Sequence, residues 1–455
     1  MFRCPRPFLV LPLSVAWLGT APVPAAAAPL TADQCREVVR AVGQSLMDGY
    51  VIPETAETMR DALERRLADG DFAGLDDAVL AGELTRILHE LSHDLHLKVN
   101  VGGAAPPVAV EKRVVGVNGD EEPEEGEPVA VPAGLQQVDA FPEARMLAGN
   151  VGYVPVTLFR DLPGDRELAA RRMAAVAGAD ALIFDLRGCM GGFPSMVHFV
   201  TSYLYDGEPR HLLTYYHAEG EPDSAYTFED VPGERLPDAD VYILTSSYTA
   251  SGGEEFTHTL KHHGRATVVG TRTAGAGHGG GVHPLPHGFS MFLPVFRPVH
   301  PVTGGGWEDR GVLPDVEVPS SRALEVAHLR ALRERLERGV PPRDEAAVRA
   351  EVDRLEDATA GSARDADALR VYAARYDIRE VSVEGATVFL QRDGGPRLEL
   401  VPDPGAPDAF TLAILPAARI RFVRDDADRV VALEVLQPGA SEWETSWRDG
   451  SASAP

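Results

Sequence analysis

The chain has 455 residues, 43 lysines and arginines against 69 aspartates and glutamates, and a formal net charge of −26. That length allows two or three domains with full cores. So acidic a chain is excluded as a non-specific binder of nucleic acid or of anionic membranes, and its three cysteines rule out a framework of disulfides.

Residues 1–28 have the layout of a secretory signal peptide: Arg3 and Arg6, an apolar stretch from Phe8 to Leu18, then an alanine run. Cleavage is expected near Ala27 or Ala28, which takes the charge to 41 − 69 = −28 and directs the chain to the periplasm or the exterior. The apolar stretch is too short to span a bilayer, and no later segment is long enough. Cys35 and Cys189 remain, so one disulfide is open to the mature chain.

Residues 29–102 read as a helical domain. Cys35, Val39, Val42 and Leu46 recur at helical spacing, as do Met59, Leu63 and Leu67, then Leu80, Leu84, Ile87 and Leu91. A strand-like "LHLKVNV" follows, and 103–148 form an acidic, Pro- and Gly-rich linker. Over 149–321, strands ("VGYVPVTLF", "ALIFDL", "VYILTS", "ATVVG", "SMFLPVF") alternate with helices at Pro194–Tyr205 and Ser251–His263, the pattern of an α/β core. Residues 322–370 form a charged helical linker broken at Pro341 and Pro342. In 371–455 the period changes to two, with Ile420 and Phe422 alternating with arginines, which predicts a small antiparallel β domain.

Ser251, three residues ahead of Glu254, has two readings. The pair is a capping box, each side chain serving the other's backbone N–H. The same position puts a hydroxyl at the positive end of a helix dipole, where a nucleophile and its oxyanion are stabilised. His258 and His262, four apart on that helix, with His278, His283 and His287 following, would need a third ligand brought in by the fold to bind metal. A solvated helix end explains them more simply, and no metal is assigned.

Three blocks, "ALIFDLRGCMGG" (181–192), "LTSSYTASGGEEFTHTLKHHGRATVVGTRTAGAG" (244–277) and "GGWEDRGVLPDVEV" (305–318), resemble the signatures of the tail-specific, or C-terminal-processing, serine peptidases. The helical start, "GQSLMDGYVIPETAETMRDALERR" with "LHELSHDLHLKV", resembles the branch that contains the tricorn protease core and the interphotoreceptor retinoid-binding protein modules. The resemblance implies a crotonase/ClpP-like α/β core behind an amino-terminal helical domain. It makes Ser251 the nucleophile, with the backbone N–H groups of Gly252 and Gly191 as oxyanion donors. Ala276 stands where one branch has its lysine base, so a Ser–Lys dyad is excluded. The other branch's solution implies His96 as base and Glu308 behind it, with His93 as the competing base. Cys189 and Leu95 depart from the family pattern, at places where an asparagine and a serine are common. Residues 100–148 are too few and too acidic for a PDZ domain.

The reading is a secreted serine peptidase that acts on peptides or proteins without a cofactor. Its alternative is a non-catalytic binder of apolar, retinoid- or lipid-like ligands on the same fold. Oligomeric state is left open.

Overall fold

The computed structural model describes residues 30–101, 138–360 and 366–450, apart from 394, 404 and 439, with short strand pairs at 107–108/129–130 and 112–113/123–124. The leader and most of the acidic stretch 103–148 lie outside the described residues. Three helices open the described chain. Ala32–Gly49 starts at Thr31, whose Oγ1 accepts the Gln34 N–H while Gln34 Oε1 accepts the Thr31 N–H, a complete capping box. Pro53–Asp69 begins with a proline, whose missing N–H costs nothing in a first turn, and Asp77–Ser92 is capped by Asp76. Their apolar faces enclose Val42, Leu46, Met59, Leu63, Leu84 and Ile87.

Val99, Met291 and Leu293 join that core from a five-stranded antiparallel sheet. Its order is Lys98–Val101, Phe289–Val299, His211–His217, Asp223–Tyr226, with Gly279–Pro284 also paired to the long strand. This sheet ties the three helices to the α/β core.

A six-stranded sheet carries that core. Its order is Val316–Glu317, Thr267–Gly270, Asp240–Thr245, Ala181–Asp185, Val151–Pro155, Arg145–Leu147, parallel except for the last strand. Alternation along Ala181–Asp185 sends Leu182 and Phe184 into one apolar layer, and Ala181 and Ile183 into the other. Helices Ala323–Arg338 and Pro342–Ala360 cover the second layer with Ala327, Leu332, Val348 and Leu355. The segment read as a linker is thus one face of the core. Among the described residues no helix is long and apolar enough to cross a membrane.

The tail is an eight-stranded antiparallel meander from Ala374–Tyr376 to Glu444–Trp447, each strand paired to the next. It closes on itself: Tyr376 bridges Arg448, the Asp377 N–H reaches the Trp447 carbonyl at 3.1 Å, and the Asp449 N–H reaches the Arg375 carbonyl at 3.0 Å. Tyr376, Leu390, Leu400, Phe410, Ile420, Phe422 and Leu433 fill the interior, while Arg419 and Arg421 face outward. This barrel leans on the α/β core. Tyr248 packs against the barrel interior cluster, the Ser247 hydroxyl donates to the Arg397 carbonyl, and Glu399 accepts the Ser320 hydroxyl at 2.6 Å.

Candidate active site

The central strands Ala181–Asp185 and Asp240–Thr245 run parallel, and the turns at their carboxyl ends meet. One turn carries Gly191; the other carries Ser251 at the start of the Gly252–His262 helix. Ser251 has φ 55° and ψ −123°, a backbone state that costs a non-glycine residue roughly 1–3 kcal/mol. The surroundings fix it there. The Ala250 N–H reaches the Cys189 carbonyl at 3.1 Å, the Ser251 N–H reaches Glu254 Oε2 at 3.0 Å, and the Glu254 N–H reaches the Ser251 carbonyl at 2.8 Å.

Ser251 Oγ is buried and has no hydrogen-bond partner. The box-like pairing at this turn is made by Glu254, which accepts the Ser251 N–H, while the Glu254 N–H goes to the Ser251 carbonyl at 2.8 Å. The hydroxyl is therefore not used as a cap. Against it lies Gly191, with φ 114°; a Cβ there would stand 2.5 Å from Ser251 Cβ and 3.0 Å from its Oγ. A Cβ on Gly252 would stand 3.1 Å from the Gly192 nitrogen. Two glycine-bearing backbone stretches thus press against the serine, and side chains are sterically excluded from both.

Glu254 organises what surrounds the turn. Besides the Ser251 N–H, it accepts the Thr273 hydroxyl at 2.6 Å, the Gly275 N–H at 2.7 Å and the Ala276 N–H at 2.8 Å. Burial pushes its carboxyl up to about 7 even against these donors. The same segment continues to the other assigned residues. Glu308 Oε2 accepts the N–H groups of Gly277 at 2.5 Å and His278 at 2.8 Å. The His278 ring donates from Nδ1 to Asp94 Oδ2 at 2.8 Å, and Asp94 Oδ1 accepts the His96 N–H at 3.0 Å. Tyr50 adds a hydroxyl to Asp94 Oδ2 at 3.1 Å.

His96 is buried, and neither ring nitrogen has a partner. Ser251, His96 and Glu308 are therefore linked through Glu254, residues 273–278 and Asp94, with no direct hydrogen bond among their side chains. Burial pushes the His96 imidazole down to about 4, although Asp94 pulls the other way. Burial also acts to raise Asp94, but the His278 hydrogen bond and charge outweigh it and hold the carboxyl below its usual range. Glu308 is pushed well above that range by burial and by the charge of Asp94. His93 ends the third helix in a left-handed conformation and is exposed.

One open point is answered and one expectation is corrected. Cys35 and Cys189 are free thiols in different apolar cores, so no disulfide joins them. Burial pushes the Cys189 thiol up to about 12, which leaves it unreactive. The histidines of the Ser251 helix do not form a solvated end. His258 is 5% exposed and packs at ring-centroid distances of 4.3 Å from His262, 5.5 Å from His300 and 5.3 Å from Trp307. The chain after Phe289–Val299 folds back over the helix and covers it.

Asp94 and His278 were not picked out as site residues. Asp94 had a local signal, since an aspartate two residues ahead of a histidine accepts that histidine's N–H. His278 was weighed only as one of the histidines that follow the Ser251 helix, because its partner lies 184 positions away.

Residues 150–318 match the model of peptidase family S41. The carboxyl-terminal-processing protease of Picosynechococcus is 27% identical over 173 residues, which are 37% of this chain and 39% of that protein. The chain thus spans about two fifths of that relative's length. Among solved structures, the photosystem II D1 C-terminal processing protease aligns over 64% of this chain and 94% of that one, at 15% identity and a TM-score of 0.41. The tricorn protease aligns over 71% of this chain and 37% of that one, at 16% identity and a TM-score of 0.39.

Proposed function

We propose that this chain, whose residues 150–318 belong to peptidase family S41, is a serine peptidase that cleaves peptides or proteins through an acyl-enzyme on Ser251. The observation that carries the proposal is the state of Ser251: a strained positive φ, a buried hydroxyl with no partner, and Gly191 against it. A structural cap would use that oxygen. A nucleophile needs it free, at a sharp strand-to-helix turn.

In this reading Ser251 Oγ attacks the scissile carbonyl carbon and passes its proton to His96. The oxygen of the tetrahedral intermediate gathers negative charge, which the Gly252 and Gly191 N–H groups and the helix dipole stabilise. His96 then protonates the departing amine, and a water deprotonated by His96 releases the acyl group. Glu308 acts as the orienting carboxyl. Side-chain hydrogen bonds within such a set often close only when substrate is bound, which fits the unpartnered His96 nitrogens and Glu308 Oε1. No cofactor is required. The amino-terminal sequence supports export to the periplasm or the exterior.

The experiment is labelling with a fluorophosphonate. Wild type reacts; Ser251→Ala does not, and His96→Ala slows labelling by several orders of magnitude, while exposed His93→Ala stays within a few-fold. With its base held near 4, labelling keeps its plateau down to roughly pH 5. An unlabelled wild type that binds apolar ligands would establish the non-catalytic alternative instead.

A further inference from the structure

We propose that Asp94, His278 and Glu308 form a binding site for a divalent transition-metal ion of the zinc type, built where the helical domain meets the peptidase core. The three residues come from the turn after the third helix, the entry to the Gly279–Pro284 strand, and the loop leading to Val316. One donor atom of each lies within 4.8 Å of the other two. His278 Nδ1 stands 2.8 Å from Asp94 Oδ2 and 3.9 Å from Glu308 Oε2. Around tetrahedral zinc with bonds of about 2.0–2.1 Å, neighbouring donors are roughly 3.3 Å apart. The two separations from His278 lie on either side of that edge.

A second observation points to a ligand. Glu308 Oε2 is fixed by two backbone N–H groups, yet Oε1 is buried and accepts nothing. Buried carboxylate oxygens are rarely left so. Charge agrees with this: two carboxylates share one imidazole in a largely buried place. Two carboxylates against one imidazole leave the set short of positive charge, which a divalent ion supplies directly. One imidazole nitrogen and two carboxylate oxygens, with a fourth position left for water, suit zinc.

The histidines around His300 are the rival site. Among the described residues, however, no three of their nitrogens converge as the Asp94 set does. His300 Nδ1 already accepts the Val302 N–H at 3.2 Å, and His263 Nδ1 is 3.0 Å from the Tyr205 hydroxyl.

A metal ion here ties up Glu308 and Asp94, the carboxylate that accepts the His96 N–H, and clamps the turn that carries that histidine. If Ser251 and His96 are the catalytic pair, the ion is an inhibitor. That consequence rests on the peptidase reading; the binding does not.

Calorimetric titration of the chelator-treated full-length protein with zinc chloride tests the site. Wild type is expected to bind one ion per chain, more tightly at pH 7.5 than at pH 5.5, because the ion displaces protons. His278→Ala and Glu308→Gln should each weaken binding at least about tenfold, and His262→Ala should not. Circular dichroism establishes that each variant is folded, and either of the two ligand variants decides alone. No binding by wild type, binding that survives both substitutions, or binding lost in His262→Ala overturns the proposal. Fluorophosphonate labelling slowed by zinc and restored by chelator supports the inhibitory consequence. Stoichiometric binding without any slowing upholds the site and counts against the catalytic assignment.

Discussion

At its amino end the Gly252–His262 helix meets one carboxylate that accepts four donors; at its carboxyl end it meets a stack of imidazoles. Glu254 is tolerated in the interior because Ser251, Thr273, Gly275 and Ala276 all point a donor at it. His258 is tolerated because it stays neutral: burial, with His262, His300 and Lys261 adding to it, pushes the imidazole down to about 3. One end satisfies an ionisable group by hydrogen bonding, the other by withholding its charge. The two respond to pH with opposite sign. Glu254 binds its proton more tightly folded than unfolded, so its contribution is present below the ordinary glutamate range and is lost as pH rises through about 7. His258 binds its proton less tightly folded, so its contribution is present above about 6.5 and is lost as pH falls towards 3.

The largest break in this symmetry is Glu254→Ala. It strands four buried donors at about 1–3 kcal/mol each, a loss on the order of 4 kcal/mol or more, read as a collapse in the denaturant midpoint together with lost fluorophosphonate labelling. Glu254→Gln keeps the volume and removes the titration, and it also turns one acceptor oxygen into an NH2 that meets two donors, which lowers stability at every pH. Its stability should fall more steeply than wild type between pH 7 and 4.5, because the proton that Glu254 gains no longer offsets the acid penalty of the histidines. A parallel pH slope in the two proteins would refute the assigned sign. Next comes His258→Phe, which removes on the order of 2 kcal/mol of acid penalty between pH 6.5 and 4 and should move the acid-unfolding midpoint downward. The smallest effect belongs to Lys261→Gln. Lys261 also pairs with Asp315 at 2.7 Å at a partly exposed site, so the change at neutral pH stays below about 1 kcal/mol, while the acid midpoint shifts as in His258→Phe but by less.

The same helix shows how far the sequence could be read. Its start, its end at Gly264 and the two meanings of Ser251 all follow from local residue order, because caps and turns are local. The Glu254 network and the burial of His258 do not, because their partners at 273–276 and 300–307 arrive only through the sheet. The three amino-terminal helices and the rhythm of Ile420 and Phe422 were legible as amphipathic periods. His211–His217 and Asp223–Tyr226 were not, since polar and aromatic residues blur their alternation and only pairing with Phe289–Val299 makes the first a strand. Closure of the tail into a barrel was equally hidden, as it depends on residues 376 and 448 meeting.

That closure bears on the order in which the molecule is made. The loop ahead of Ser251 rests its Tyr248 and Ser247 on barrel strands near Leu390–Leu400, and the barrel shuts only when the strand at Glu444–Trp447 is in place. A nascent chain that has emerged as far as the Ser251 helix still lacks that wall, and keeps lacking it for nearly two hundred residues of synthesis. The turn that presents the hydroxyl is therefore completed by strands synthesised long after it.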